Sequence, residues 1–79
     1  NPSDAKAPYY LANLLYDKDR CNEAIKLWEA SVKQDPQFSI AWRNLAIAYF
    51  NILQEPKKAM TAFDRAIKAN ARESRLIYE

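Results

Sequence analysis

Residues 41–49 read AWRNLAIAY, and this stretch decides the fold because its spacing of small and large apolar residues occurs twice in the chain. An upstream copy aligns at an offset of 34 residues, pairing Leu11 with Leu45, Ala12 with Ala46 and Leu15 with Tyr49. The downstream halves align at an offset of 35, pairing Ala24 with Ala59, Trp28 with Phe63 and Ser31 with Ala66. A unit repeated at about 34 residues is typical of stacked helical hairpins. We expect a single domain with one repeat over residues 5–38, a second over 39–73 with one extra residue in its turn, and the start of a third repeat or a capping helix over 74–79.

Apolar residues recur at three- and four-residue steps along most of the chain, as one face of a helix requires. The pattern predicts helices from Ala5 to Asp17, from about Glu23 to Lys33, over residues 38–52 and from Pro56 to about Ala69, with an N-cap at Ser3 or Asp4. Asn70 is expected to end the fourth helix, and Leu76–Tyr78 to begin a fifth. Strand-like alternation is absent from the sequence. We therefore predict an all-α fold of about five helices, the third being the most buried.

The composition excludes several classes of site. The 79 residues carry a net charge of +2 and contain no glycine, no histidine and one cysteine. Without glycine there is no phosphate-cradling loop, and without histidine most metal sites and Ser-His or Cys-His catalysis are absent. The lone Cys21 cannot form an intramolecular disulfide, and no apolar run approaches the roughly 18 residues of a membrane span. We expect no cofactor, no metal and no membrane association.

The two copies resemble the tetratricopeptide repeat (TPR) family, whose pattern is W-x2-L-G-x2-Y, then A-x3-F, then P. The second copy supplies Trp42, Leu45, Ala46, Tyr49, Ala59, Phe63 and Ala66; the first supplies Leu11, Ala12, Leu15, Ala24, Trp28, Ser31 and Pro36. The departures are Ala in place of Gly in both copies, Ala71 in place of the terminal Pro, and Pro8 in the Trp position. The resemblance covers residues 5 to about 71. It implies a right-handed α-solenoid of stacked antiparallel hairpins that is not an enzyme.

Small and aromatic residues of the pattern have separate packing roles. Four alanines, Ala12, Ala24, Ala46 and Ala59, are expected where antiparallel helices approach most closely. The aromatics Trp28, Trp42, Tyr49 and Phe63 are expected to fill the gaps between hairpins as core residues. The family favours Gly in the turn between helices, where this chain has Asp19 in one copy and Gln54-Glu55-Pro56 in the other. We expect turns built from Asp, Asn and Pro.

In the TPR family, the first helices of successive hairpins line a concave surface that takes up a peptide or another protein. Carried over position by position, the resemblance implies a protein-binding groove formed by Tyr9, Asn13, Tyr16, Asp17, Ile40, Arg43, Asn44, Ile47, Phe50 and Asn51, extended by Arg75 and Tyr78. Aromatic and Arg side chains supply rigid contacts, and Asn can hydrogen-bond a ligand backbone. The alternative for Ile47 and Phe50 is that they pack helix against helix.

One TPR subclass, the co-chaperones, binds a C-terminal carboxylate with Lys and Asn side chains in its groove. Asn13 and Asn44 match the two Asn positions of that pattern. Tyr9 replaces the first Lys, Arg75 stands at the third-repeat Lys position, and Glu79 replaces the last basic residue. Since such a clamp depends on charge-assisted bonds to a carboxylate, these departures count against it.

Other candidate sites are incomplete. Asp17-x-Asp19 resembles the start of a calcium loop, but Cys21 and Trp28 occupy ligand positions of that loop. Carboxylate pairs such as Asp17 and Glu23, or Glu73 and Glu79, come with no recognisable nucleophile or metal. The basic residues of the C-terminal half are interrupted by Asp64, so no phosphate-tracking stripe forms and nucleic acid is not the expected partner.

Two functional readings remain open. The first is a non-catalytic module that binds a protein or peptide in its groove. The second is a structural spacer or oligomerisation segment of a larger protein, self-associating through exposed repeat edges around Leu14, Leu15, Met60 and Ile77. Residues 9–17 and 42–45 also look like TPR segments of large bacterial proteins with carbohydrate-related domains. The chain lacks an initiating Met, so we expect it to be part of a longer protein.

Overall fold

The computed structural model describes residues 5–78 and the side chains of residues 5–70. Its elements are α1 (Lys6–Asp17), α2 (Cys21–Gln34), α3 (Ser39–Asn51) and α4 (Pro56–Tyr78), with no strand among the described residues. The all-helical prediction is confirmed over this range. The predicted N-cap at Ser3 or Asp4 lies outside the described residues.

Consecutive helices pack antiparallel. Ser31 on α2 donates its hydroxyl to the Ala5 carbonyl oxygen at 2.7 Å, which fastens the start of α1 to the second half of α2. The Tyr49 hydroxyl donates to Glu29 at 2.7 Å, and the Trp42 indole donates to the Pro36 carbonyl at 2.8 Å, so α3 returns along α2. The hairpins are therefore held by packing and by a few side-chain hydrogen bonds.

The core is built from alanines and a few large residues. Ala12, Ala24 and Ala46 are fully buried and Ala59 nearly so, as expected for the positions of closest helix approach. Leu45, Ile25, Trp28, Val32 and Tyr49 complete the buried cluster. Among residues 5–70, helix α3 contributes the largest set of buried residues, because α2 and α4 both pack on it.

Both hairpin turns contain a non-glycine residue in the left-handed region. Asp19 has a φ of 62° and Gln54 a φ of 54°. In the first turn, Arg20 N–H donates to the Leu15 carbonyl at 2.9 Å and Asp19 N–H to the Tyr16 carbonyl at 3.1 Å, the two bonds of a Schellman cap. In the second turn, Glu55 N–H donates to the Tyr49 carbonyl at 2.9 Å, which is six positions earlier in the sequence. The corresponding bond of the first turn, from Arg20 to Leu15, reaches back five positions. The second turn is thus one residue longer.

Two expectations about the C-terminal half are corrected. Asn70 does not end the fourth helix, so the fifth helix predicted from Leu76–Tyr78 is part of α4 and residues 5–78 form four helices. The reason is local: between Ala69 and Tyr78 there is no Gly or Pro, and a single Asn is only mildly unfavourable inside a helix. Phe63, expected in the core, is 40% exposed, because no element among residues 5–78 covers that side of α4.

Among the described residues, no helix combines the length and the apolar character that a membrane crossing requires.

Candidate functional site

Helices α1 and α3 lie side by side in the same direction with a cleft between them. The Tyr9 ring at the start of α1 is 5.0 Å from that of Phe38, just before α3. Halfway along, the Asn44 amide donates to Asn13 at 3.4 Å. Near the ends of both helices, Tyr16 and Ile47 line a common cavity. Residue numbers rise together along the two helices, so their side chains form one continuous surface, which we call the α1–α3 groove.

The central part of this groove is a cavity of about 290 Å³. Its lining consists of Asn13, Tyr16, Asp17, Trp28, Asn44 and Ile47. All except Trp28 are residues that the sequence assigned to a groove. Ile47 is 38% exposed, so part of its side chain is accessible from the cavity and the rest packs against the helices.

Trp28 from α2 forms the floor of the central cavity. It is a core residue, as expected, with only 3% of its surface exposed, and the Tyr16 ring lies 5.5 Å from its own. Its indole N–H donates to Asn13 at 3.2 Å. The sequence offers one general signal of this contact, since a buried Trp needs an acceptor, but it does not indicate which residue provides it.

The indole bond fixes how the two asparagines are oriented. An indole nitrogen can only donate, so the Asn13 atom facing it is the amide oxygen, which also accepts from Asn44. Among residues 5–70, the Asn13 amide nitrogen and the Asn44 amide oxygen have no hydrogen-bond partner. With respect to residues 5–70, the groove therefore holds one unpaired amide donor and one unpaired amide acceptor side by side.

Among the side chains of residues 5–70, the remaining predicted residues do not line the central cavity. Ile40 and Arg43 line a separate cleft of about 290 Å³ between α3 and α4, together with Phe63 and Ile67. Phe50 is 58% exposed and lies with Asn51 beside the turn before α4. Tyr9 packs on Tyr10 and Phe38 beyond the other end of the cavity. The side chains of Arg75 and Tyr78 lie outside the described residues.

The comparison with protein families gives one match. A family model described as tetratricopeptide repeat matches residues 2–74. The chain belongs to the tetratricopeptide repeat family. No solved structure matches it.

Membership explains the arrangement of the helices and gives a coarse function. TPR repeats generally mediate protein–protein interaction and are typically non-catalytic. The TPR residues Leu45, Ala46 and Tyr49 are buried where the pattern of the family requires, whereas Asn13 and Asn44 lie between helices and line a cavity. The repeat pattern of the family thus accounts for the scaffold, and Asn13 and Asn44 lie outside that pattern.

Proposed function

We propose that this TPR chain is a non-catalytic interaction module that binds an extended peptide or protein segment in the α1–α3 groove. The observation that carries the proposal is the amide donor of Asn13 beside the amide acceptor of Asn44, neither of which has a partner in the described part of the chain. A peptide backbone offers a matching C=O and N–H, so the two amides would satisfy it without reading its sequence. The proposal includes the repeats at 5–38 and 39–73 and their right-handed solenoid stacking.

Side-chain selectivity would come from the surfaces around the two amides. Ile47 and the Tyr16 ring form apolar walls of the central cavity, suited to one apolar or aromatic side chain of the ligand. The exposed Arg43 guanidinium lies one residue from Asn44, in the cleft shared with α4. Its five donors suit an acidic side chain or a backbone carbonyl further along the ligand. Phe50 and Tyr9 extend the contact at the two ends.

The test uses peptides selected from an unbiased displayed library against the whole chain. Their dissociation constants are then measured for the wild type, the double variant R43A/N44A and a control double variant, N22A/K26A, altered at exposed positions of α2. We expect at least about tenfold weaker binding for R43A/N44A and no change for the control. Unchanged affinity in R43A/N44A, with an intact helical spectrum, would remove the groove proposal.

A second candidate function is self-association through the two edges of the helix stack. Tyr10, Leu11 and Leu14 are exposed on α1, while Met60 and Ile67 on α4 are 71% and 67% exposed. Since the two surfaces differ, copies joined through them would stack head to tail and form open chains or rings instead of two-fold symmetric dimers. Two other edge residues were predicted from the sequence. Leu15 is half-buried and therefore less available for contact than Leu14, and the side chain of Ile77 lies outside the described residues.

Sedimentation at increasing protein concentration tests this alternative. Self-association predicts a weight-average mass that rises with concentration and returns to the monomer value in L14E and in M60E, which change one edge each. A strict monomer at high concentration would exclude it and leave the groove proposal untouched.

A further inference from the structure

A second cleft lies on the other side of α3 from the α1–α3 groove. Trp42 and Tyr49 are two turns apart on α3 and point away from Asn44 and Ile47, since successive residues of a helix are about 100° apart. With Lys57, Lys58, Thr61 and Arg65 of α4, the two rings line a cavity of about 340 Å³. We call it the α4 cleft.

The charges that line the α4 cleft are all positive. Lys58 Nζ lies 5.5 Å from the centre of the Tyr49 ring and Arg65 Cζ lies 5.3 Å from that of Trp42, so each cation is held over an aromatic face. Lys57 and Arg65 form no ion pair among residues 5–70. Lysines at the start of a helix are unfavourable for its dipole, and the first turn of α4 contains no acidic residue. Glu55, directly before that turn, lies near Lys58 and compensates it in part. A bound anion would offset the unfavourable interaction between these lysines and the helix dipole.

Two carboxylates limit the strength of this field. Glu29 accepts the Tyr49 hydroxyl hydrogen bond, and Glu55 lies 3.9 Å from Lys58. Both lie beyond the lining of the cleft, at the end marked by Tyr49. With three cations and two flanking acids, the cleft suits a ligand of a few negative charges better than a polyanion such as nucleic acid.

The spacing of the cations determines the shape of the ligand. Lys57 and Arg65 are eight residues apart, which corresponds to about 12 Å along a helix. A single small anion cannot contact both ends. An extended peptide advances about 3.3 Å per residue, so acidic side chains three or four residues apart would reach both. Between them, the Trp42 and Tyr49 rings form an apolar floor.

We propose that the α4 cleft is a second binding site, which takes an acidic peptide segment with two carboxylates three or four residues apart and an apolar side chain between them. Lys57 and Lys58 bind one carboxylate and Arg65 binds the other. The apolar side chain rests on the ring of Trp42. This site is independent of the α1–α3 groove.

The test measures the fluorescence anisotropy of a labelled octapeptide with two glutamates about three residues apart and a leucine between them, at low salt. We expect saturable binding, at least about tenfold weaker in K57Q/K58Q/R65Q, because charge-assisted bonds to both carboxylates are lost. The charge-conserving variant K57R/K58R/R65K should stay within about twofold of the wild type. So should R43A/N44A and the charge-matched control K26Q/K33Q/K68Q. Chemical-shift changes should include the Trp42 indole N–H.

Four results would overturn the proposal. They are no binding of the octapeptide at about 1 mM, equal binding of a peptide with glutamines in place of the glutamates, unchanged binding in K57Q/K58Q/R65Q, and tighter binding of an oligothymidylate of similar length. Circular dichroism of each variant shows whether α4 has formed, and K57R/K58R/R65K separates loss of charge from loss of structure.

Discussion

Asn13 has a structural role and a proposed binding role in the same amide. Its oxygen accepts from the buried Trp28 indole, and its nitrogen is free among residues 5–70. We expect N13A to lower the free energy of unfolding by about 1–2 kcal/mol, because the indole N–H then lacks its acceptor. Urea denaturation measures this, with N44A as the matched control and an expected loss below about 0.5 kcal/mol. Equal stability of N13A and wild type would contradict the assignment of this hydrogen bond.

Gln54 adopts a left-handed backbone conformation that a glutamine side chain does not favour. Its φ of 54° is costly for a residue with a Cβ, and glycine removes that cost. We expect Q54G to raise the unfolding free energy by up to about 1 kcal/mol. The control N51G, three residues earlier and also exposed but in helical conformation as the last residue of α3, should lower it, since glycine weakens a helix. A loss of stability in Q54G as large as that in N51G would contradict the claim that the backbone of Gln54 is strained.

Tyr49 makes the stability of the fold sensitive to high pH. Burial, followed by the hydrogen bond to Glu29 and the charge of Glu55, raises the pKa of its hydroxyl above the ordinary value. A group whose pKa is raised by folding stabilises the protein below its unfolded pKa, about 10, and loses that contribution above it. We expect the wild type to lose stability above about pH 10 more steeply than Y49F, as measured by denaturant unfolding at each pH. Parallel curves would show that Tyr49 is not the group responsible.

At the scale of the helices, the buried alanines determine how closely neighbouring helices pack. Ala46 is fully buried where α3 meets its neighbours, so a larger side chain must separate the helices. We expect A46L to lower the melting temperature, with a cost of about 1–3 kcal/mol from overpacking. The control A30L, on the exposed side of α2, should change stability by less than about 0.5 kcal/mol. Thermal unfolding in which the two variants behave alike would contradict the close-approach role.

The sequence predicted helix starts and turns well where a single residue type determines the local backbone. Pro56 begins α4 and Asp19 has a positive φ, because proline fits the first position of a helix and Asp tolerates the left-handed region. The prediction of a fifth helix was wrong because Asn70 was expected to end α4. Its neighbours Ala69 and Ala71 favour helix, and α4 continues through Asn70.

The groove was predicted only in part. Asn13, Tyr16, Asn44 and Ile47 come together as the resemblance implied, since their positions follow from helix register alone. The separation of Ile40 and Arg43 into another cleft depends on how α4 packs against α3. Likewise, the bond from Trp28 to Asn13 depends on side-chain rotamers. Neither is encoded in the spacing of the pattern.

At the scale of the whole molecule, the four helices of residues 5–78 present two faces of different chemistry. The lining of the α1–α3 groove offers uncharged amides and apolar walls with one acid, Asp17, whereas the α4 cleft offers three cations, two of them over aromatic rings. A ligand chosen by one face should not compete with a ligand of the other. Competition between a groove-selected peptide and the acidic octapeptide, measured at saturating concentrations, should therefore be absent. Mutual displacement would show that the two share one site.

The measurement that tests the central claim most directly is the affinity of library-selected peptides for wild type, R43A/N44A and N22A/K26A. Binding in the α1–α3 groove predicts at least about tenfold weaker binding in R43A/N44A alone, together with chemical-shift changes at the Asn13 and Asn44 side-chain amides. Equal affinity for all three proteins, with those amide signals unmoved, would contradict the claim that the groove between α1 and α3 is the binding surface.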